Sequence, residues 1–161
     1  EGLLRTPMSK TRATPGPPRS SHDWRPLRIL IVDDDATFRA ELGELLQVSG
    51  YAVSSAANYR EAVARLRADG VDVVLLDLVL PGRSGLEFLR EGLAMHPTTP
   101  FIVLTGHGTP EARTEALRRG ASDFLTKPFE FEELERLLRA HRDKIRAQTT
   151  AVPRRDAAPP S

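Results

Sequence analysis

Hydrophobic residues in this chain occur in five short blocks, each followed by a segment in which apolar residues recur every three or four positions. The most apolar block runs from Val73 to Leu80, where Asp77 interrupts a row of Val and Leu residues. Polar residues do not alternate with apolar ones there, so we expect a strand that is covered on both faces. Pro81-Gly82 then ends the strand and begins a loop.

The whole pattern predicts five strands, each followed by a helix. Strands are predicted over residues 28–32, 51–55, 71–77, 100–105 and 122–126, and helices over residues 36–49, 58–68, 85–96, 110–119 and 130–146. Asp35, Ser84 and Thr109 are suitable N-caps, and Gly50 and Gly120 are suitable helix ends. Such short connections favour parallel βαβ units with right-handed crossovers. The predicted fold class is therefore α/β: a doubly wound, five-stranded parallel sheet in the flavodoxin-like order 2-1-3-4-5, with helices on both faces.

The composition is that of one ordinary domain with tails. The chain has 161 residues, of which 40% are hydrophobic and 28% charged. Residues 1–26 are rich in Pro, Ser, Thr and Arg and predict a disordered basic leader or linker, and residues 147–161 predict a disordered tail. The domain is assigned to residues 27–146, and we expect either a stand-alone domain or a piece of a longer protein.

Several classes of function receive no support from the composition. The chain has no cysteine, which excludes disulfides and thiolate metal sites. No apolar run approaches the roughly 20 residues that span a bilayer, and no secretory signal is visible, so we expect a cytoplasmic protein without membrane contact. A net charge of +1 does not favour direct nucleic-acid binding.

Polar residues that are candidates for catalysis or metal binding lie at the carboxyl ends of four predicted strands. Asp33 and Asp34 follow the first strand, Asp77 ends the third, Thr105 ends the fourth and Lys127 follows the fifth. In the order 2-1-3-4-5 these ends meet at one edge of the sheet, where open α/β sheets bind their ligands.

This edge is expected to carry excess negative charge. At a separation of ~4 Å and an effective dielectric constant of ~20, each pair of carboxylates repels by about 4 kcal/mol. One lysine does not neutralise three acids, whereas Mg²⁺, which prefers oxygen ligands, does. The edge therefore predicts a Mg²⁺ site beside Lys127 and Thr105, suited to receiving a phosphoryl group on a carboxylate. No Gly-rich phosphate loop is present, so nucleotide binding is not supported.

Four motifs together resemble the receiver domain of two-component response regulators. They are Ile31-Val32-Asp33-Asp34-Asp35, Leu76-Asp77-Leu78-Val79-Leu80-Pro81-Gly82, Leu104-Thr105-Gly106 and Lys127-Pro128-Phe129. The resemblance covers roughly residues 27–143. Each motif alone is weak, but all four in order at strand ends form a specific combination.

The resemblance implies a role for each acid of the site. Asp77 is implied to be the phosphoacceptor. Asp34, Asp77 and the main-chain carbonyl of Val79 are implied to hold Mg²⁺, with Asp33 reaching the ion through water.

It also implies roles for residues of the last two strands. Lys127 is implied to contact Asp77 and the phosphoryl oxygens, in a turn with a cis Lys127–Pro128 bond. Thr105 is implied to bond the phosphoryl group and move toward it, and Gly106 to leave the site open. Phe124 stands where the family often has a switch tyrosine; it can rotate in the same way but has no hydroxyl group.

The implied function is a signalling switch that catalyses only its own phosphoryl transfer and autodephosphorylation. The implied phosphodonor is a sensor histidine kinase or a histidine phosphotransfer protein. The implied readout surface is formed by helix 4, strand 5 and helix 5, around residues 107–141. Arg113, Arg118 and Arg119 are expected there to meet an acidic partner, an output domain or a second copy of the domain in a homodimer.

Two other functions are compatible with some of these residues. A Mg²⁺-dependent phosphohydrolase that forms an aspartyl-phosphate commonly has a second acid two residues after the nucleophile, but Val79 occupies that position here. A receiver-like interaction module that is never phosphorylated would not need the full set of acids, threonine and lysine. The phosphorylated receiver domain therefore explains the most residues.

Overall fold

The computed structural model describes residues 25–68 and 70–151, which form five parallel strands alternating with five helices. The strands are β1 (Arg28–Val32), β2 (Ala52–Ala56), β3 (Val73–Leu76), β4 (Phe101–Thr105) and β5 (Asp123–Thr126). The helices are α1 (Ala36–Val48), α2 (Tyr59–Ala68), α3 (Gly85–Met95), α4 (Pro110–Arg118) and α5 (Phe131–Ala151). All neighbouring strands are parallel and the order is β2-β1-β3-β4-β5, which confirms the predicted fold class.

Two hydrophobic cores lie on opposite faces of this sheet. Successive residues of a strand point to opposite faces, so Leu30 and Val32 join the core beneath α2, α3 and α4. Ile29 and Ile31 join the core beneath α1 and α5. All four side chains of β3 are buried. Because a fully buried large apolar side chain contributes about 1.5–3 kcal/mol, these two cores fix the positions of the strand ends that carry the polar residues.

The predicted capping residues lie at the ends of α1, α3 and α4. The side chains of Asp35, Ser84 and Thr109 each accept a hydrogen bond from a backbone N–H two or three residues later, as N-caps do. Gly50 and Gly120 have φ angles of 98° and 112°. Side chains with a Cβ seldom adopt such angles, which explains why glycine follows α1 and α4.

The last helix is longer than predicted. α5 continues to Ala151, whereas the sequence analysis placed its end at Arg146 and assigned residues 147–161 to a disordered tail. Residues 147–151 contain neither Gly nor Pro, so nothing in them stops a helix. The remaining predictions of disorder, for residues 1–24 and 152–161, lie outside the described residues. No helix in the described ranges is long and apolar enough to cross a membrane.

Candidate functional site

Three carboxylates meet at the carboxyl ends of β1 and β3. β1 ends at Val32, so Asp33 and Asp34 follow it directly, and β3 ends one residue before Asp77. One carboxylate oxygen of each acid lies within 4.8 Å of the others. Asp33 and Asp77 are buried, with 2% and 9% exposure, whereas Asp34 is exposed. The structure therefore brings together the three acids that the sequence predicted to converge.

Each buried carboxylate is held by one backbone N–H and by Lys127. Asp33 Oδ1 accepts a hydrogen bond from the N–H of Asp35 at 2.9 Å, and Asp77 Oδ1 accepts one from the N–H of Val79 at 3.1 Å. The Lys127 ammonium donates to Asp33 Oδ2 at 2.6 Å and to Asp77 Oδ2 at 3.5 Å. The lysine thus bridges both acids, and its nearer partner is Asp33.

The electrostatics of the site leave negative charge uncompensated. Burial raises the pKa of Asp33 above its ordinary value, and the neighbouring charge of Asp77 raises it further. Hydrogen bonds from Lys127 and from the backbone of Asp35 oppose this shift without cancelling it. Asp34 has no ion-pair partner among the described residues. A site with three acids and one lysine suits a hard divalent cation, which coordinates carboxylate oxygens.

The ammonium group of Lys127 contacts an aromatic ring, a contact that the sequence does not predict. The Lys127–Pro128 peptide bond is cis, as predicted. The ammonium nitrogen lies 4.0 Å from the centroid of the Phe38 ring on α1. Phe38 in turn packs edge-to-face against Phe129, with centroids 6.4 Å apart. The helical pattern predicts only that Phe38 lies on the inner face of α1. The one sequence feature that points to its contact with Lys127 is its position three residues after the acids.

The loop after Asp77 is held by contacts of the Val79 backbone with Asp77 and with Ser84. Val79 donates to Asp77 as described above, and it also pairs with Ser84 in an isolated antiparallel bridge. A Cβ at Gly85 would lie 2.5 Å from the carbonyl oxygen of Asp77, so α3 begins this close to the site only because that residue is glycine. The ligand role of the Val79 carbonyl stays a prediction.

The two residues predicted to switch lie on neighbouring strands. Thr105 is fully buried at the end of β4, and its hydroxyl accepts a hydrogen bond from the N–H of His107 at 3.2 Å. Phe124 on β5 is 6% exposed and points into the core beneath α2, α3 and α4. A Cβ at Gly106 would meet no atom within 4 Å, so the space beside this residue is open. Movement of Thr105 and Phe124 stays a prediction.

Comparisons with known proteins place these features in one family. The family model "Response regulator receiver domain" matches residues 29–139. The C4-dicarboxylate transport transcriptional regulatory protein DctD of Rhizobium meliloti (strain 1021) is 37% identical over 118 residues, which are 73% of this chain and 26% of that protein. Response regulator MprA of Mycolicibacterium vanbaalenii is 40% identical over 115 residues, or 71% of this chain and 50% of that protein.

Solved structures agree with the sequence matches. The chemotaxis protein CheY4 of Vibrio cholerae superposes with a TM-score of 0.68 at 33% identity, covering 71% of this chain and 98% of that one. The chain spans about a quarter to a half of the length of the curated relatives it matches.

Proposed function

The chain belongs to the response regulator receiver domain family of two-component signalling, and on that premise we propose that it accepts a phosphoryl group on Asp77 and thereby changes its binding to a partner. The environment of Asp77 carries this proposal. Its carboxylate is oriented by the N–H of Val79 and by Lys127, beside the exposed Asp34 and the open position at Gly106. A phosphodonor can therefore reach an acid that is otherwise buried.

The proposed reaction is attack of an Asp77 carboxylate oxygen on the phosphorus of a phosphorylated histidine. A P–O bond forms while the P–N bond breaks, and the imidazole leaves with the electron pair and takes up a proton from solvent. Lys127 stabilises charge on the phosphoryl oxygens, because its ammonium already lies 3.5 Å from Asp77 Oδ2. The Thr105 hydroxyl is proposed to donate to the same group. Attack by water on the phosphorus later breaks the same P–O bond, releases inorganic phosphate and restores the carboxylate.

Asp34, Asp77 and the main-chain carbonyl of Val79 are proposed to hold Mg²⁺, with Asp33 reaching it through water. The convergence of three carboxylates within 4.8 Å supports this assignment, as does the lack of an ion-pair partner for Asp34 in the described part of the chain. Mg²⁺ held by these residues would offset the charge of the acids and of the incoming phosphoryl oxygens.

The proposed phosphodonor is a sensor histidine kinase or a histidine phosphotransfer protein. The proposed readout surface consists of α4, β5 and α5, which would bind a downstream partner, an output domain or a second copy of the chain. The greater length of the curated relatives supports an output function outside the described domain.

Labelling with a small phosphodonor tests the phosphoacceptor. With acetyl phosphate and Mg²⁺, intact-protein mass spectrometry should show a phosphoryl adduct that hydroxylamine removes. Asp77→Ala should show none. Asp35→Asn is the matched control, because Asp35 belongs to the same acidic triplet but caps α1, and asparagine caps equally well. An undiminished adduct in Asp77→Ala would overturn the proposal.

The dependence of labelling on Mg²⁺ tests the metal assignment separately. Chelation should stop labelling of the wild type. Asp34→Asn should raise the Mg²⁺ concentration for half-maximal labelling by about tenfold or more, and Asp35→Asn should leave it unchanged. The same Mg²⁺ dependence in Asp34→Asn and wild type would remove Asp34 from the ligand set while leaving the phosphoacceptor in place.

A further inference from the structure

Three groups from the described residues contact the ammonium group of Lys127, and one of them is an aromatic ring. Two are the carboxylates of Asp33 and Asp77, at 2.6 Å and 3.5 Å. The third is the face of Phe38, whose centroid is 4.0 Å from Nζ. This is well inside the ~6 Å range in which a cation is attracted to the electron-rich face of a ring.

The ring of Phe38 restricts the conformations that the Lys127 side chain can adopt. An ammonium group is a compact, strongly hydrated charge on a flexible stem, so a lysine beside solvent samples many rotamers. Lys127 is only 21% exposed, and the Phe38 ring covers one side of its ammonium group. The ring is itself braced edge-to-face by Phe129.

The attraction to the ring also leaves the lysine able to move. A carboxylate accepts a particular N–H, whereas the face of a ring attracts the charge as a whole. Lys127 can therefore turn its N–H groups from Asp33 toward an oxygen bound at Asp77 while its charge stays over Phe38. The short distance from Nζ to Asp77 Oδ2 makes the required displacement small.

We propose that Phe38 is a positioning residue, which holds Lys127 at the acids so that the ammonium is in place when the phosphoryl group arrives. This inference rests on the proposed phosphorylation of Asp77. Phe38 contacts Lys127 and Phe129, and its proposed action on the phosphoryl transfer passes through Lys127.

Phe38 can be replaced without disturbing tightly packed neighbours, because its ring borders a cavity. The ring borders an open, mainly apolar cavity of about 420 Å³, which is also lined by Leu42 and Leu45. Phe38→Leu keeps an apolar side chain there but removes the aromatic face, and Phe38→Tyr keeps the face. Leu45→Ala is the matched control, since Leu45 lines the same cavity, is 43% exposed and has no aromatic ring to offer the lysine.

The kinetic test uses acetyl phosphate and Mg²⁺ with the full chain. In Phe38→Leu the labelling rate at saturating donor should fall by about threefold to tenfold, as expected for loss of a cation–ring contact. The donor and Mg²⁺ concentrations for half-maximal rate should not change. Phe38→Tyr should restore the rate, and Leu45→Ala should match the wild type. In a Lys127→Ala background, Phe38→Leu should have no further effect.

A spectroscopic test examines the contact directly. The chain has three lysines, Lys10, Lys127 and Lys144, so selective lysine labelling gives three side-chain NMR signals, and Lys127→Ala identifies the relevant one. The Lys127 Hε protons should be shifted upfield by the ring in the wild type and in Phe38→Tyr. In Phe38→Leu they should move to the position of the other two lysines.

The two tests separate failure of this inference from failure of the proposed function. If the wild type is labelled and Phe38→Leu is labelled at the same rate, Phe38 does not position Lys127. Equal slowing by Phe38→Leu with and without Lys127 also overturns the role, because the effect then does not pass through the lysine. If the wild type is not labelled at all, the proposed function fails, and an unshifted Lys127 signal in the wild type independently overturns the contact.

Discussion

At the scale of single residues, Asp33 is the acid whose charge opposes folding most clearly. Its carboxylate is 2% exposed, and burial together with the charge of Asp77 raises its pKa above the ordinary 3.8. A raised pKa means that the folded state binds the proton more tightly than the unfolded state does. The contribution of Asp33 to stability is therefore most favourable below pH 3.8 and is lost as the pH rises through the folded-state pKa.

The raised pKa of Asp33 predicts how Asp33→Asn changes the free energy of unfolding in metal-free buffer. At pH 7 the variant should be equally stable or more stable than the wild type, by about 0 to 1 kcal/mol, because a neutral amide replaces a buried charge. Asparagine can still accept the N–H of Asp35, and Lys127 still has Asp77. The difference should shrink as the pH falls and disappear below pH 3.8. Urea unfolding at several pH values measures it.

Asp35→Asn provides the control for this measurement. Asp35 is exposed and caps α1, so its substitution should change stability little at any of these pH values. A loss of more than about 1 kcal/mol at pH 7 in Asp33→Asn would show instead that the Asp33–Lys127 pair is a net source of stability.

The positions of the site residues followed from the sequence, but their pairing did not. Asp33, Asp77 and Lys127 stand at strand ends, and strand order alone brings such ends together. The choice of Asp33 as the nearer partner of Lys127, and the ring of Phe38 beside it, depend on rotamers. Hydrophobic periodicity places a side chain on a face of a helix but does not say which charge it will touch.

At the scale of elements, the close approach of α3 to the end of β3 depends on Gly85. A Cβ there would lie 2.5 Å from the carbonyl oxygen of Asp77 and 2.6 Å from the Cα of Leu78. Both are backbone atoms that cannot turn aside as a flexible side chain can. Gly85→Ala should therefore shift α3 and the loop that carries Val79.

We expect Gly85→Ala to lower the free energy of unfolding by about 1–3 kcal/mol, as overpacking does, and to weaken Mg²⁺ binding through the displaced loop. Chemical denaturation and a Mg²⁺ titration measure the two effects. Gly106→Ala is the control for stability, because a Cβ there meets open space, and it should be within about 0.5 kcal/mol of wild type. Equal stabilities of the two variants would contradict the steric argument.

Element boundaries were predictable where a residue enforces them. Gly50 and Gly120 end α1 and α4 with positive φ angles, and both ends were predicted. α5 extends past Arg146 because no glycine or proline intervenes before Pro153. The predicted end of α5, Arg146, is the point where its apolar periodicity ends. The end of that periodicity marks where the helix stops packing against the sheet, but the helix itself continues.

At the scale of the whole molecule, the surface formed by α4, β5 and α5 is less basic than its sequence indicates. Arg118 and Arg119 both pair with Glu115, at 3.4 Å and 2.5 Å. Arg113, by contrast, is exposed on α4 and has no ion-pair partner within the described ranges. Of the three arginines in the predicted patch, Arg113 is therefore the one with a charge available to an acidic partner.

Phosphorylation of Asp77 is expected to act on this surface through Thr105 and Phe124. Thr105 is the last residue of β4, and Phe124 is paired in register with Val103 of the same strand. A shift of the Thr105 hydroxyl toward a phosphoryl group would break its hydrogen bond with the N–H of His107, in the segment that leads into α4. The added group carries about −1.5 to −2 charges, which is enough to bias two packings of one fold.

If the partner is a second copy of the chain, acetyl phosphate with Mg²⁺ should strengthen self-association by about tenfold, within the usual range for coupled sites. Analytical ultracentrifugation with and without the donor measures this change. Arg113→Glu should abolish most of the gain, because it reverses the available charge on α4. Arg67→Glu makes the same change on the exposed side of α2 and should leave the gain intact. Labelling of Asp77 without any change in association would exclude the homodimer and direct the search to an acidic partner protein, for which Arg113→Glu should again be the damaging substitution.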